Sequence, residues 1–307
     1  MYAITGITGK VGGALARALL EAGLPVRAIA RDAAKAANWA ALGCEIAIAA
    51  MEDADALANG FTGAEAVFVL PPPVFDPEPG YPEARRVIAA VREAVERTRP
   101  GRVVCLSTIG ADAAEDNLLT QRTLMEKALN TLPVPVAFLR PGWFLDNAAW
   151  DVASAMDAGV VRSFLAPLDR PIAMVAARDV GRTAARLMQE SWKGVRLVRL
   201  EGPSRVSPND IAAAFSAALG RPVRAEIVPK EQWDAIFRSQ GMHHPMPRIR
   251  MLDGFNEGWI DLPPNDPGVL KGTTSVSEVV ASLIPAARGT DEHGRTFQDR
   301  QDRTHIV

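Results

Sequence analysis

The sequence predicts an α/β protein: a doubly wound parallel sheet followed by a smaller α/β carboxy-terminal domain. Three observations point there. A short apolar run at residues 2–4 leads into glycines at positions 6, 9 and 12 and then into an alanine- and leucine-rich helical stretch at 14–21. Apolar runs of strand length then alternate with helical stretches as far as Pro141. Beyond Gly142 the alternation loosens, but strand and helix signals continue. Strands alternating with helices at this spacing imply parallel pairing through right-handed crossovers.

The first element reads strand, glycine turn, helix. Gly6 permits the tight turn off the strand, Gly9 lets backbone come close to a pyrophosphate, and Gly12 lets the helix pack on the strand. Unpaired N–H groups and the positive end of the helix dipole face the same place, between Thr8, Lys10 and Val11. The spacing is G-x-x-G-x-x-G, so a tight turn without a ligand is the competing reading.

A second strand at 25–30 closes on Arg31-Asp32. An acidic side chain at this strand end suits a ribose 2′-hydroxyl and a basic one a 2′-phosphate, so Arg31 points to NADP, with Lys10 or Arg27 as neighbours. A solvated strand end is the alternative for Arg31, and Asp32 is a natural N-cap for a helix from Ala33. A third strand spans 44–49, a short helix 53–59, and a fourth strand 66–70 runs into Pro71-Pro72-Pro73, which forces the chain out over the carboxyl edge of the sheet. Leu70, Pro71 and Pro72 therefore join the candidate cofactor set. After a proline-rich loop and a helix at 83–98, a fifth strand at 102–106 ends in Ser107-Thr108. A helix at 117–130 carries Glu126 and Lys127. A sixth strand at 134–139 delivers Arg140, Pro141, Gly142, Trp143 and Phe144 to that edge, where ligands bind in such sheets.

The second half holds a turn at 158–159, a short strand at 174–177, and a helix to Gln189 with Asp179 as its expected N-cap. A strand follows at 195–201, then a helix from Ser207-Pro208 to Leu219 stopped by Gly220, a strand at 223–228 and a helix at 231–239. Residues 251–260 read either as a lid over the cleft or as a helix end and turn. The domain reading is 1–150, then 151–287 with the chain crossing between the two, then a polar tail at 288–307, mobile or laid against another subunit.

A formal charge of −2 gives no reason to expect nucleic acid or an anionic membrane surface as partner. No apolar stretch approaches the roughly 20 residues that cross a bilayer, and no leader is visible, so a cytoplasmic protein is expected. Cys44 and Cys105 read as buried reduced thiols, and His243-His244 lacks the flanking ligands of a metal site.

The motifs TGITGKVG (5–12), VRAIARD (26–32), VVCLSTIGA (103–111), MEKAL (125–129), LRPGWFLDN (139–147) and DVGRTAA (179–185) keep order and spacing across about the first 190 residues. On these the chain resembles the NmrA-like family, an atypical branch of the short-chain dehydrogenase/reductase superfamily. The resemblance implies NADP(H) in a cleft between a Rossmann-type domain and the smaller domain. It also implies that Trp143, Phe144 and Asn147 form one wall of that cleft, Phe144 on the cofactor and Trp143 and Asn147 on the substrate; core packing is the bland alternative for the aromatics. Two features depart from the pattern. Thr123 stands four residues before Lys127, where the superfamily has tyrosine, and Ala50-Met51 stands where relatives often carry Asp-Leu near the adenine, with Glu52 or Asp53 as a substitute acid. Lys127 is then the first choice for a catalytic and cofactor-binding residue, with an exposed helix lysine beside Thr123 and Glu126 as the alternative, and Tyr81 for a substrate contact. The expected function is NADPH-dependent reduction of a small flat carbonyl or quinone-like compound, with a non-catalytic NADP(H) redox sensor as the alternative and a homo-oligomer as an expected assembly.

Overall fold

The structure, a computed structural model, describes residues 1–264 and 266–288. In chain order the first half comprises β1 (Tyr2–Thr5), α1 (Lys10–Glu21), β2 (Val26–Ala30), α2 (Ala33–Ala41), β3 (Glu45–Ile48), α3 (Ala54–Phe61), β4 (Ala66–Val69), α4 (Pro82–Thr98), β5 (Arg102–Leu106), α5 (Thr120–Leu129) and β6 (Val136–Pro141). There follow β7 (Trp143–Phe144), a 3-10 helix (Leu145–Asp151), α6 (Val152–Ala158), β8 (Val160–Ser163), β9 (Met174–Val175), α7 (Ala177–Gln189), β10 (Val195–Glu201) and α8 (Pro208–Leu219). The last elements are β11 (Arg224–Ile227), α9 (Trp233–Ser239), α10 (Met246–Glu257), β12 (Val269–Lys271) and α11 (Val276–Arg288). The expected tail lies, beyond Arg288, outside the described residues.

Eight parallel strands form one sheet in the order β12-β10-β6-β5-β4-β1-β2-β3, so the direction of winding reverses between β1 and β4. Strand side chains alternate between two cores, as the pleat requires. Tyr2 and Ile4 pack with Val11, Leu15, Val180 and Leu187 of α1 and α7, whereas Ala3 faces the core under α3, α4 and α5 with Phe61, Val91 and Leu129. A third core, around Phe215, Trp233, Phe237 and Phe255, holds the second half together. There β8 and β11 form a small separate parallel pair. β10 and β12 return to the main sheet, so the chain crosses from one half to the other more than once.

Local chemistry sets the element ends. Asp32 and Asp53 cap α2 and α3 through their carboxylates. Ser207 and Asp210 form a reciprocal capping box ahead of Pro208, and Gly220 ends α8 at φ 68°. Asp179, expected as an N-cap, is instead buried inside the first turn of α7, which starts after Ala176; its carboxylate accepts from the N–H groups of Thr273 and Thr274 and from the Thr274 hydroxyl. The last segment thus ties that carboxylate to the rear of the sheet, a long-range partner that local sequence does not display. Residues 251–260 are the end of α10 and its turn at Gly258, φ 88°.

The approach of α1 to its strand leaves no room for a side chain at position 12. A Cβ there would lie 2.3 Å from the carbonyl oxygen of Gly6. Gly12→Ala is therefore expected to lower stability by about 1–3 kcal/mol or more through backbone displacement, read as a fall in urea midpoint without ligand; an unchanged midpoint would refute the close approach.

Candidate functional site

At the carboxyl edge of β1, Gly6 turns at φ 66° and its carbonyl accepts from the N–H of Gly9, 3.0 Å away. Gly9 is the N-cap of α1, and no side chain caps the helix or places an acid in its first turn. An uncapped helix start of this kind is suited to an anion. Gly9 has φ −89°, and a Cβ there would meet nothing nearer than the Gly6 oxygen at 3.4 Å. Nothing in the chain itself demands glycine at position 9; a phosphate lying against the backbone would. Thr8 and Lys10 are exposed beside it and Val11 is buried beneath. The Thr5 hydroxyl accepts from the Leu70 N–H at 2.7 Å and donates to the Phe68 carbonyl at 3.1 Å, which holds the end of β4 against the turn.

Among the cations of this edge, Lys10 is paired with Asp146 at 2.9 Å, and Arg27 is spent on Glu45 and the carbonyls of Gly60 and Thr62. Arg31 is exposed and has no hydrogen-bond or ion-pair partner among the described residues. It borders a cavity of ≈ 190 Å³ with Glu52, Pro71, Pro72, Glu83 and Arg122.

A second cavity, ≈ 210 Å³, opens at the ends of β5 and β6. Ser107, Thr108 and Gly142 form its inner end and Trp143, Phe144, Phe164, Met251 and Phe255 its apolar walls. Trp143 stands edge-on to Phe255, ring centres 5.1 Å apart. The Asn147 side chain lines this space, and its Oδ1 is buried with no hydrogen-bond partner. Pro141 is buried within β6 just behind. Next to Phe75 of this wall, the Asp76 carboxylate accepts from the backbone N–H groups of His243 and His244 at 2.7 and 2.6 Å, tethering the proline-rich loop to the segment before α10.

Two expected residues are elsewhere. Lys127 is exposed and borders neither cavity. Its neighbour Glu126 points inward, forming a two-pronged ion pair with Arg140 at 2.6–2.8 Å and accepting from the Ser107 hydroxyl. At 3.6 residues per turn, Arg122 lies about 40° from Glu126 around α5 and Lys127 about 140° from Arg122. Arg122 thus takes the inward place: it borders both cavities and donates to the Pro71 carbonyl, and burial lowers its guanidinium pKa to about 10. Tyr81 is the second. It sits at φ 58° at the start of α4, buried, with its hydroxyl 2.8 Å from Asp116 and 3.0 Å from the Asn117 carbonyl, and borders neither cavity. The helical phase set by Glu126 was the signal for Arg122; nothing local marked Tyr81.

Sequence reasoning also missed Asp151. It closes the 3-10 helix and borders the second cavity, and burial pushes its carboxyl up to about 7. The folded state then holds a proton that the unfolded chain releases at ordinary carboxylate pH, so stability is lost as pH rises toward and through 7. Asp151→Asn removes that loss. Its melting temperature relative to the parent should therefore be higher at pH 8 than at pH 5, and an equal difference at both would show a freely ionising carboxyl.

A family model described as the NmrA-like family matches residues 2–257. The chain is 29% identical over 268 residues to an NAD(P)H azoreductase of Xenophilus azovorans, covering 86% of this chain and 88% of the other. It is 32% identical over 228 residues to a (4-alkanoyl-5-oxo-2,5-dihydrofuran-3-yl)methyl phosphate reductase of Streptomyces griseus, with 74% and 76% covered. Its fold superposes on the Escherichia coli NADPH-dependent quinone oxidoreductase complexed with NADPH at a TM-score of 0.76, 24% identity, over 92% of this chain and 99% of the other. With its glycine turn at a 3-2-1-4-5-6 switch point and a family match over most of its length, the chain belongs to the NmrA-like family.

Proposed function

We propose that the protein is an NADPH-dependent reductase of flat quinone- or dye-like compounds. The observation that carries this is the aromatic-walled cavity opening at the ends of β5 and β6, on the carboxyl edge of the sheet. The names of the relatives support it, since they include an azoreductase and a quinone oxidoreductase. Cys44 and Cys105, both free and buried, suit the reducing cytoplasm expected for it.

The residues present fit a dinucleotide. The glycines at 6, 9 and 12 and the uncapped start of α1 would hold the pyrophosphate, Arg31 the 2′-phosphate, Leu70 to Pro72 the adenosine side, and Ser107, Pro141 and Phe144 the nicotinamide end. When bound, the nicotinamide supplies a hydride. The chain's own residues exclude water with the apolar walls, and the Trp143–Phe255 pair gives a flat acceptor an aromatic surface to lie against. Arg122, rather than Lys127, brings a positive charge to the junction of the two cavities. The unpartnered Asn147 oxygen is placed to accept from an amide, hydroxyl or amine of a bound molecule.

Two experiments test this. NADPH oxidation followed against a panel of quinones and azo dyes should show turnover; tight NADPH binding without turnover on any acceptor would return the protein to the sensor class. Arg31→Asp should weaken NADPH binding roughly 10- to 100-fold, as loss of a charge-assisted contact predicts, with stability unchanged within about 0.5 kcal/mol. Unchanged NADPH affinity would remove Arg31 from the 2′-phosphate site.

A further inference from the structure

Reduction by hydride leaves a basic atom on most acceptors, and that atom must be protonated. The side chains bordering the inner cavity offer few donors. They include no tyrosine, histidine, lysine, cysteine or glutamate, and Asp151 is the one carboxyl. The Ser107 hydroxyl is given to Glu126, the Ser163 hydroxyl to the Leu165 carbonyl, and the Gln121 amide to the carbonyls of Val74 and Leu118, while the Thr108 hydroxyl and the Asn147 amide can donate a hydrogen bond but do not give up a proton near neutral pH.

Asp151 differs from these in having nothing to do for the fold. It is the last residue of the 3-10 helix, in αR backbone, and α6 continues directly from it, with the Val152 N–H already bonded to the Ala149 carbonyl; its carboxylate makes no capping hydrogen bond. It has no ion-pair partner among the described residues. Its backbone carbonyl accepts from Ser154, while its side chain borders the cavity with Trp150, Phe164 and Leu165. The charged groups on its own and surrounding elements are Asp146 on the 3-10 helix, Asp157 on α6, Arg162 on β8, Asp210 on α8, Glu278 on α11, Arg122 on α5 and Arg248 on α10; Asp146 is held by Lys10 and the Ala177 N–H, and Asp210 by Ser207. Arg248 is stacked on Phe237, 4.4 Å from the ring centre, and Glu278 is held by Arg178. None of them offsets the burial, which alone sets the direction in which the Asp151 carboxyl moves.

We propose that Asp151 is the proton donor of this cavity, protonating the atom left basic when the acceptor takes up hydride. This rests on the reductase reading above. For an azo compound, the hydride from the reduced nicotinamide forms an N–H bond at one nitrogen, the N–N π bond breaks, and its electron pair on the second nitrogen takes the Asp151 proton. The acceptor is reduced by two electrons to the hydrazo compound, the nicotinamide is oxidised, and the Asp151 carboxylate recovers its proton from water. Near neutral pH a carboxyl poised at about 7 can both donate and be recharged. The preferred substrates are then acceptors with a basic product atom seated in an apolar cavity.

The test compares two acceptors on the parent, Asp151→Asn and Asp151→Glu. A neutral azo dye needs hydride and a proton; a cationic triarylmethyl dye needs hydride alone, because the central carbon ends as C–H. Asp151→Asn should lose on the order of 10²–10⁴-fold in kcat/KM on the azo dye and lose the decline of that rate as pH rises through about 7, while triarylmethyl reduction is unchanged. Asp151→Glu should recover part of the azo activity. Independently of turnover, the infrared carboxyl band of the parent minus that of Asp151→Asn, taken on the protein without cofactor, should titrate near neutrality. An equal fall on both dyes would make Asp151 a positioning group, and no fall on the azo dye would leave it idle; either overturns the proposal while the reductase reading stands. If the parent reduces neither dye although it binds NADPH, the reductase reading fails and the proton-donor role falls with it.

Discussion

The inward-turned Glu126 fixes more of this molecule than any other side chain outside the glycine turn. Its two-pronged pair with Arg140 joins α5 to the end of β6, and the Ser107 hydroxyl joins the same carboxylate to the end of β5. Arg140 also reaches Asp112 at 2.6 Å, which anchors the loop leading to α5. Removing one partner of a buried pair leaves an uncompensated charge, so such a node tolerates few substitutions. It also sets the rotation of α5 and so decides which cation of that helix reaches the cleft.

The glycine turn and this ion pair divide the work. The first shapes the start of α1 from residues close together in sequence; the second aligns the ends of β5 and β6, where the aromatic-walled cavity opens. Between them lie two cavities that share Pro73, Val74, Gln121 and Arg122 in their walls. An extended ligand with one anionic and one flat aromatic end matches such a pair of spaces, with Arg31 at one limit and Asp151 at the other.

Most of the fold was legible because its determinants are local. Glycine spacing, proline runs and capping residues place β1 to β6 and α8 within a residue or two. The family was legible from the same motifs. What escaped depends on contacts distant in sequence. Lys127 seemed the natural cation of MEKAL until the partner of Glu126, 14 residues away on β6, fixed the phase of the helix. Tyr81 looked like a loop phenol available to a ligand, but Asp116 and Asn117 claim it. Asp151 carries no motif at all, since only the absence of a cap contact and the walls around it set it apart. The β8–β11 pair and the buried role of Asp179 are likewise products of tertiary packing.

The tether between the proline-rich loop and the segment before α10 has an evolutionary consequence. Asp76 grips that segment chiefly through two peptide N–H groups, with the His243 ring adding a contact at 3.2 Å. Main-chain donors are supplied by every residue except proline. The paired histidines are thus free to drift to other identities while the loop keeps its anchor, whereas the acid facing them has no such latitude. Variation among descendants of this sequence should accumulate on one side of the tether and be purged on the other.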